Sequence, residues 1–153
     1  GYLLPVAHEE LEQLNQLYKE NNELYHHIAV KLGMSDSAFS ILYAICELGD
    51  GCLQKDVCTA SGLSKQTVNT SVHKLEQAGY VELRVEHGRG THLHLTEAGR
   101  ALVAERIRPV AGAEEAAFAA MAPGECEELL RLTRVYLEHL RGLVDALPYP
   151  ERG

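Results

Sequence analysis

Residues 53–95, LQKDVCTASGLSKQTVNTSVHKLEQAGYVELRVEHGRGTHLHL, hold a short helix, a tight turn, a second helix and two alternating strands around a Gly-flanked loop. The turn Ser61-Gly62-Leu63-Ser64 has the length that joins two helices at a steep angle. Gly62 supplies permissive backbone, and Ser64 is an N-cap whose hydroxyl can accept an orphan amide of the next helix. Leu63 and Val68 fit a hydrophobic staple that fixes how the chain enters that helix. Val68, Val72 and Leu75 recur at three- and four-residue spacing and face inward. The opposite face carries Lys65, Gln66, Asn69, Thr70 and His73, donors and acceptors of the kind that read base edges and phosphates. Gly79 ends the helix as a left-handed cap. Val81, Leu83 and Val85 then alternate with Glu82, Arg84 and Glu86, the period of a half-buried strand, and Thr91, Leu93 and Leu95 return with the same alternation. Between the strands lies His87-Gly88-Arg89-Gly90, a flexible tip with one guanidinium. Turn, capped polar helix, hairpin and cationic tip in that order predict a winged helix-turn-helix that binds double-stranded DNA. Its candidate contacts are Ser64, Lys65, Gln66, Thr67, Asn69, Thr70, His73, Lys74, Arg84 and Arg89.

A formal net charge of −8 argues at first against such a partner. The distribution of charge removes most of the objection. Residues 53–100 hold six Lys/Arg and five Asp/Glu, whereas the remainder holds eight bases and seventeen acids. The reading head is therefore locally neutral to positive, and affinity should rest on a few phosphate contacts with a modest salt slope.

Two apolar stripes flank this head. Leu11, Leu14, Leu17, Tyr18, Leu24, Tyr25, Ile28 and Leu32 recur at helical spacing over residues 8–32, and Gly33 breaks the run. Ser35 caps the next helix, whose buried face is expected to be Phe39, Leu42, Ile45 and Cys46, with Gly49-Asp50-Gly51 ending it. Thr96 and Glu97 open a helix that runs past Pro109, a kink site, to about Met121. Ala122-Pro123-Gly124 breaks the chain again, with Pro123 suited to a first helical position. A last helix over about 125–146 carries Leu129, Leu132, Val135, Tyr136, Leu140, Leu143 and Val144. The fold class is mainly α with a small β-hairpin wing: residues 35–100 form the DNA-binding region, and 1–34 with 101–153 form helical dimerisation arms. A symmetric dimer would present two reading helices to the half-sites of a palindromic operator about one DNA turn, or ~34 Å, apart.

With that order of elements in place, the chain resembles the MarR (multiple antibiotic resistance regulator) family over nearly its whole length. The most specific pieces are LSKQTVNTSVHKLEQAGYVEL at 63–83 and Leu95-Thr96-Glu97-Ala98-Gly99-Arg100, which is similar to the family's join between wing and fifth helix. The resemblance implies a dimeric, cytoplasmic transcriptional regulator, commonly a repressor released by a small, often aromatic ligand or by cysteine oxidation. It places Gln66, Asn69, Thr70 and His73 toward the major groove and Arg89 at a wing tip that reaches a minor groove. The wing departs from the pattern. Where the family often has an acidic–Arg–acidic turn, this chain has the shorter Glu86-His87-Gly88-Arg89-Gly90, which implies a wing without its usual bracing salt bridges.

Other chemistry has less support. The four cysteines form no C-x-x-C pair and are expected to be reduced thiols, with Cys46 and Cys58 inward. Cys52 stands where an N-cap would precede a helix opening at Leu53, and a helix N-terminus lowers a thiol pKa, which makes it the redox candidate. His87, His92 and His94 invite a metal reading, but a period-two pair on an exposed strand is more often solvated, and no metal site or cofactor is assigned. No nucleophile elbow, phosphate loop or zinc-helix motif organises an enzyme, so no catalytic residue is assigned. No apolar run has the length of a membrane span, and a cytoplasmic location is expected. Tyr18, Tyr25, Phe39 and Tyr43 are the candidate lining of an effector pocket. The alternatives to a ligand-released repressor are a thiol- or metal-responsive regulator of the same fold, and a winged-helix protein–protein module.

Overall fold

The computed structural model describes residues 8–86, 88 and 90–151. The elements run α1 (Glu9–Leu32), α2 (Asp36–Leu48), β1 (Cys52–Leu53), α3 (Gln54–Ser61), α4 (Lys65–Gln77), β2 (Val81–Val85), β3 (Thr91–Leu95), α5 (Glu97–Leu102), a π-helical turn (Val103–Ile107), α6 (Arg108–Ala119) and α7 (Glu125–Asp145). The chain divides into two compact units, Gly1–Pro109 and Val110–Gly153.

In the first unit, α2 is the central post. Left-handed Gly33 (φ 72°) ends α1 and lets the Met34 amide reach the Ala29 carbonyl at 2.9 Å. Ser35 then caps α2, accepting the Ala38 amide at 3.1 Å. Phe39, Ile41, Leu42, Ala44 and Ile45 are all buried, where α2 packs against α3, α4 and the π turn. Cys46 is not part of that face. It is exposed, because one residue beyond Ile45 turns the helix by about 100° and carries the side chain out of the packed stripe. Val57, Val68, Val72, Leu93 and Ile107 close the core from the other elements.

The helix-turn-helix forms as the sequence predicts. Gly62 is left-handed (φ 70°), and Ser64 accepts the Thr67 amide at 3.1 Å. Val68, Ser71, Val72 and Leu75 are buried. Ser71 is the buried polar member, and its hydroxyl donates to Ser37 at 2.7 Å, pinning α4 to the start of α2. The helix ends at Gln77, with Ala78 as a right-handed cap and Gly79 (φ 85°) one residue farther on.

The wing is a three-stranded antiparallel sheet of order β1-β3-β2, not a lone hairpin. Strand β1 pairs Cys52 with Leu93 and Leu53 with His92; two residues are too few to print an alternation in the sequence. In β2, Val81 is buried but Val85 is 72% exposed, so the inward face fades along the strand.

Thr96 starts α5 by accepting the Gly99 amide at 3.0 Å, while its hydroxyl donates to the Gly79 carbonyl at 2.6 Å. The expected irregularity near Pro109 takes the form of the π turn, in which the Arg108 amide reaches back five residues to Val103. Pro109 has no amide to offer Glu105, so the ladder is already broken at that point.

The second unit holds most of α6 and all of α7. Pro123 does not occupy a first helical position. Left-handed Gly124 (φ 84°) is the N-cap, and Glu125 reaches back to accept the Ala122 amide at 2.6 Å, which leaves the proline in the preceding turn. Neither α6 nor α7 has a buried residue, and Leu129, Leu132, Val135, Leu140, Leu143 and Val144 are all exposed along α7. Among the described residues, no single helix is long and apolar enough to cross a membrane.

Candidate nucleic-acid interface

The buried stripe of α4 decides what its other face presents. With Val68, Val72 and Leu75 turned inward, Lys65, Gln66, Thr67, Asn69, Thr70, His73 and Lys74 are all exposed on one outward surface. Several of these side chains are already oriented. Ser64 donates to the Thr67 hydroxyl at 2.8 Å, so that pair braces the helix start. Thr70 donates its hydroxyl to the Gln66 carbonyl at 3.0 Å. His73 stands 3.6 Å from Glu76, one helical turn on.

A groove of about 580 Å³ separates α3 and the start of α4 from the wing, with Lys55, Lys65 and Asn69 on one side and Gly90 and Thr91 on the other. Lys55 and Gln54, both on α3, were not among the sequence candidates. The signal was there, since α3 must cross behind the reading helix in this motif, but its polar residues carry no spacing of their own. The Gln54 amide donates to Oδ1 of Asn69.

Arg84 is exposed on β2 and donates to Glu82 at 2.8 Å; that hydrogen bond and the carboxylate's charge hold the guanidinium above its usual pKa. Arg89 and His87 lie outside the described residues. The brace missing from the wing's sequence is supplied by histidines instead. His94 donates to Glu86 at 2.6 Å, and His92 donates to the Gly51 carbonyl at 2.8 Å, tying β3 to both neighbours. Among the described residues, no group of three or more His, Cys, Asp or Glu side chains could hold a metal ion.

The aromatic candidates come together only in part. Tyr25, Phe39 and Tyr43 form a ladder with ring centroids 6.4 and 5.9 Å apart, but Phe39 is core and Tyr18, 45% exposed, has no described ring contact with them. Beside Tyr25 and Phe39 lies a groove of about 210 Å³, walled also by His26, which donates to both Asp36 oxygens at 2.9 Å. That is smaller than the roughly 300 Å³ at which ligand pockets begin.

Cys52 is not an N-cap. Leu53 holds that position, and the cysteine lies in β1 with its backbone paired to Leu93. Burial pushes its thiol above the ordinary value, partly offset by its backbone hydrogen bond, and Asp56 and Asp50 push it further in the same direction. The helix-terminus argument for a reactive thiolate therefore fails. Cys58 is half-buried rather than enclosed.

Residues 32–90, from the end of α1 to the wing tip, match the model of the MarR family. Over that segment, which is under half of the chain, the sequence is similar to the MarR family. No curated protein matches the chain, whereas 221 chains of known structure do. The MarR family regulator NMB1585 of Neisseria meningitidis superposes with a TM-score of 0.75 at 21% identity, over 90% of this chain and 98% of that one. CouR from Rhodococcus jostii RHA1, solved with p-coumaroyl-CoA bound, gives 0.64 at 20% identity over 94% and 96%. BpsR of Bordetella bronchiseptica, whose DNA binding is regulated by 6-hydroxynicotinic acid, gives 0.61 at 22% identity over 81% and 98%. At such identities the likeness is one of fold, and it extends the MarR-like architecture beyond the matched segment to both helical ends.

Proposed function

We propose that this chain is a sequence-specific DNA-binding transcriptional regulator, a cytoplasmic homodimer on a palindromic operator, and a repressor released by a small aromatic ligand. The observation that carries DNA reading is α4: a Ser64-capped helix with a buried apolar stripe and seven exposed polar side chains on its outer face. A groove with Lys55 and Lys65 at its rim and an amide-bearing wall supports a phosphate-bearing partner over a protein one. A mobility-shift titration with DNA from upstream of its own gene tests the reading. A retarded complex that weakens with salt, at a shallow slope set by few phosphate contacts, is the expected result. No complex at low salt would overturn it.

Dimerisation is supported by α7. Its exposed leucines and valines form the kind of contiguous apolar surface that monomers rarely leave in water. Leu132 and Leu140 lie on this stripe and are 50% and 39% exposed. The double substitution of Leu132 and Leu140 to Asp should convert a sedimenting dimer to monomer and abolish operator binding, since one reading head loses its partner's half-site. A double variant that sediments as the parent does would remove α7 from the interface.

The ligand reading draws on the Tyr25–Phe39–Tyr43 ladder and on the two neighbours named with aromatic acids or their thioesters. A ligand acts by binding one spacing of the reading heads better than the other, because only differential affinity shifts an equilibrium. A thiol switch at Cys52 has lost its electrostatic basis. Mild peroxide should therefore leave the protein–operator complex intact in the parent and in Cys52→Ser alike. Release from the parent alone would reinstate the cysteine.

A further inference from the structure

Asn69 does not face the groove unaided. Gln54, the first residue of α3, is half-buried, and its Nε2 donates to Oδ1 of the exposed Asn69 across the junction between the two helices. A carboxamide is a donor at one end and an acceptor at the other, and half a turn about its last bond exchanges the two with little change of shape. Alone on the helix surface, Asn69 could offer either end to a base. With Gln54 donating to Oδ1, that oxygen is turned toward α3 and the two Nδ2 protons are turned away from it.

We propose that Gln54 is a specificity-determining positioning residue that fixes Asn69 as a hydrogen-bond donor toward the major groove. The base facing Asn69 must then present an acceptor: N7 of a purine, O6 of guanine or O4 of thymine. Adenine fits best, because its N6 proton can also reach the remaining Oδ1 lone pair while N7 accepts from Nδ2. A cytosine amino group would meet N–H donors and is disfavoured. Lys55 and Lys65 line the same groove, but they bind phosphate without such discrimination. Holding the amide in advance also lowers the rotamer freedom lost on binding.

This inference rests on the DNA-reading function proposed above, and one experiment separates the two. Binding sites are selected from a library of duplexes by the parent, Asn69→Ala, Gln54→Ala, Gln54→Glu and the Asn69→Ala/Gln54→Ala double variant. A parent that selects no sequence overturns the reading and this inference with it. With a selecting parent, Gln54→Ala should reduce preference roughly threefold to tenfold at the one base pair that Asn69→Ala also relaxes, and nowhere else. Gln54→Glu can only accept, so it draws the Nδ2 protons toward α3, turns Oδ1 outward and moves the preference at that pair from adenine toward cytosine, whose major-groove edge presents an amino donor and no acceptor. The double variant should match Asn69→Ala. A Gln54→Ala profile identical to the parent's, or weakened evenly at every position, would overturn the positioning role while leaving DNA reading intact.

Discussion

Replacing Asn69 with alanine should lower operator affinity by about 1–3 kcal/mol while leaving binding to random DNA nearly unchanged. Asn69 is exposed and makes no packing contribution to the buried stripe of α4, so the variant should fold as the parent does, within about 0.5 kcal/mol. In the proposed complex, phosphate affinity comes from cations such as Lys55 and Lys65, which line the groove, and the substitution touches neither. The hydrogen bond from Gln54 is lost from free and bound protein alike, so the difference on DNA is the base-edge contact. The measurement is a pair of salt titrations, one on operator and one on random duplex of equal length. Equal losses on both would mean that Asn69 positions the helix on the backbone and reads nothing.

The contrast between Asn69 and Gln54 shows how far the sequence could be read. The outward position of Asn69 was legible because α4 is amphipathic: three buried positions at helical spacing fix where every other side chain must point. Gln54 was not, because its role arises from a contact fifteen residues away across a turn whose angle the sequence does not state. The same division runs through the rest of the head. Caps at Ser35, Ser64 and Thr96 were local signals, and each accepts the amide expected of it. Strand β1 and the Glu86–His94 brace depend on pairing partners some forty and eight residues distant, and local patterns are blind to both. Cys52 illustrates the cost of that blindness. One residue of error in a helix start moved it from a cap to a strand and reversed the direction expected for its thiol. The wing tip at Arg89 lies outside the described residues, so its minor-groove role stays a proposal resting on its position at a Gly-flanked turn.

The second large effect concerns Gly99, in the Thr96–Arg100 run where wing meets α5. Substituting alanine there should destabilise the protein by about 2–4 kcal/mol, although alanine is the better helix former by about 1 kcal/mol. The reason is room. A Cβ at Gly99 would stand 2.0 Å from the Tyr80 carbonyl oxygen and 3.3 Å from a Leu95 methyl. The carbonyl cannot simply retreat, because it accepts the Thr96 amide at 3.0 Å, and Thr96 in turn holds Gly79 and caps α5. Backbone packed against backbone must move as a block, so the cost falls on the sheet, the cap and the helix together. Gly112, in α6, supplies the control. Nothing lies within 4 Å of a Cβ there, so Gly112→Ala should stabilise the protein by roughly 0.5–1 kcal/mol through helix propensity alone. Urea unfolding of both variants and the parent, at one protein concentration because a dimer's apparent stability depends on it, reads the two signs directly. If Gly99→Ala unfolds at the parent's midpoint, the wing and α5 do not meet as closely as this geometry requires, and the proposed placement of the reading head's wing loses its anchor.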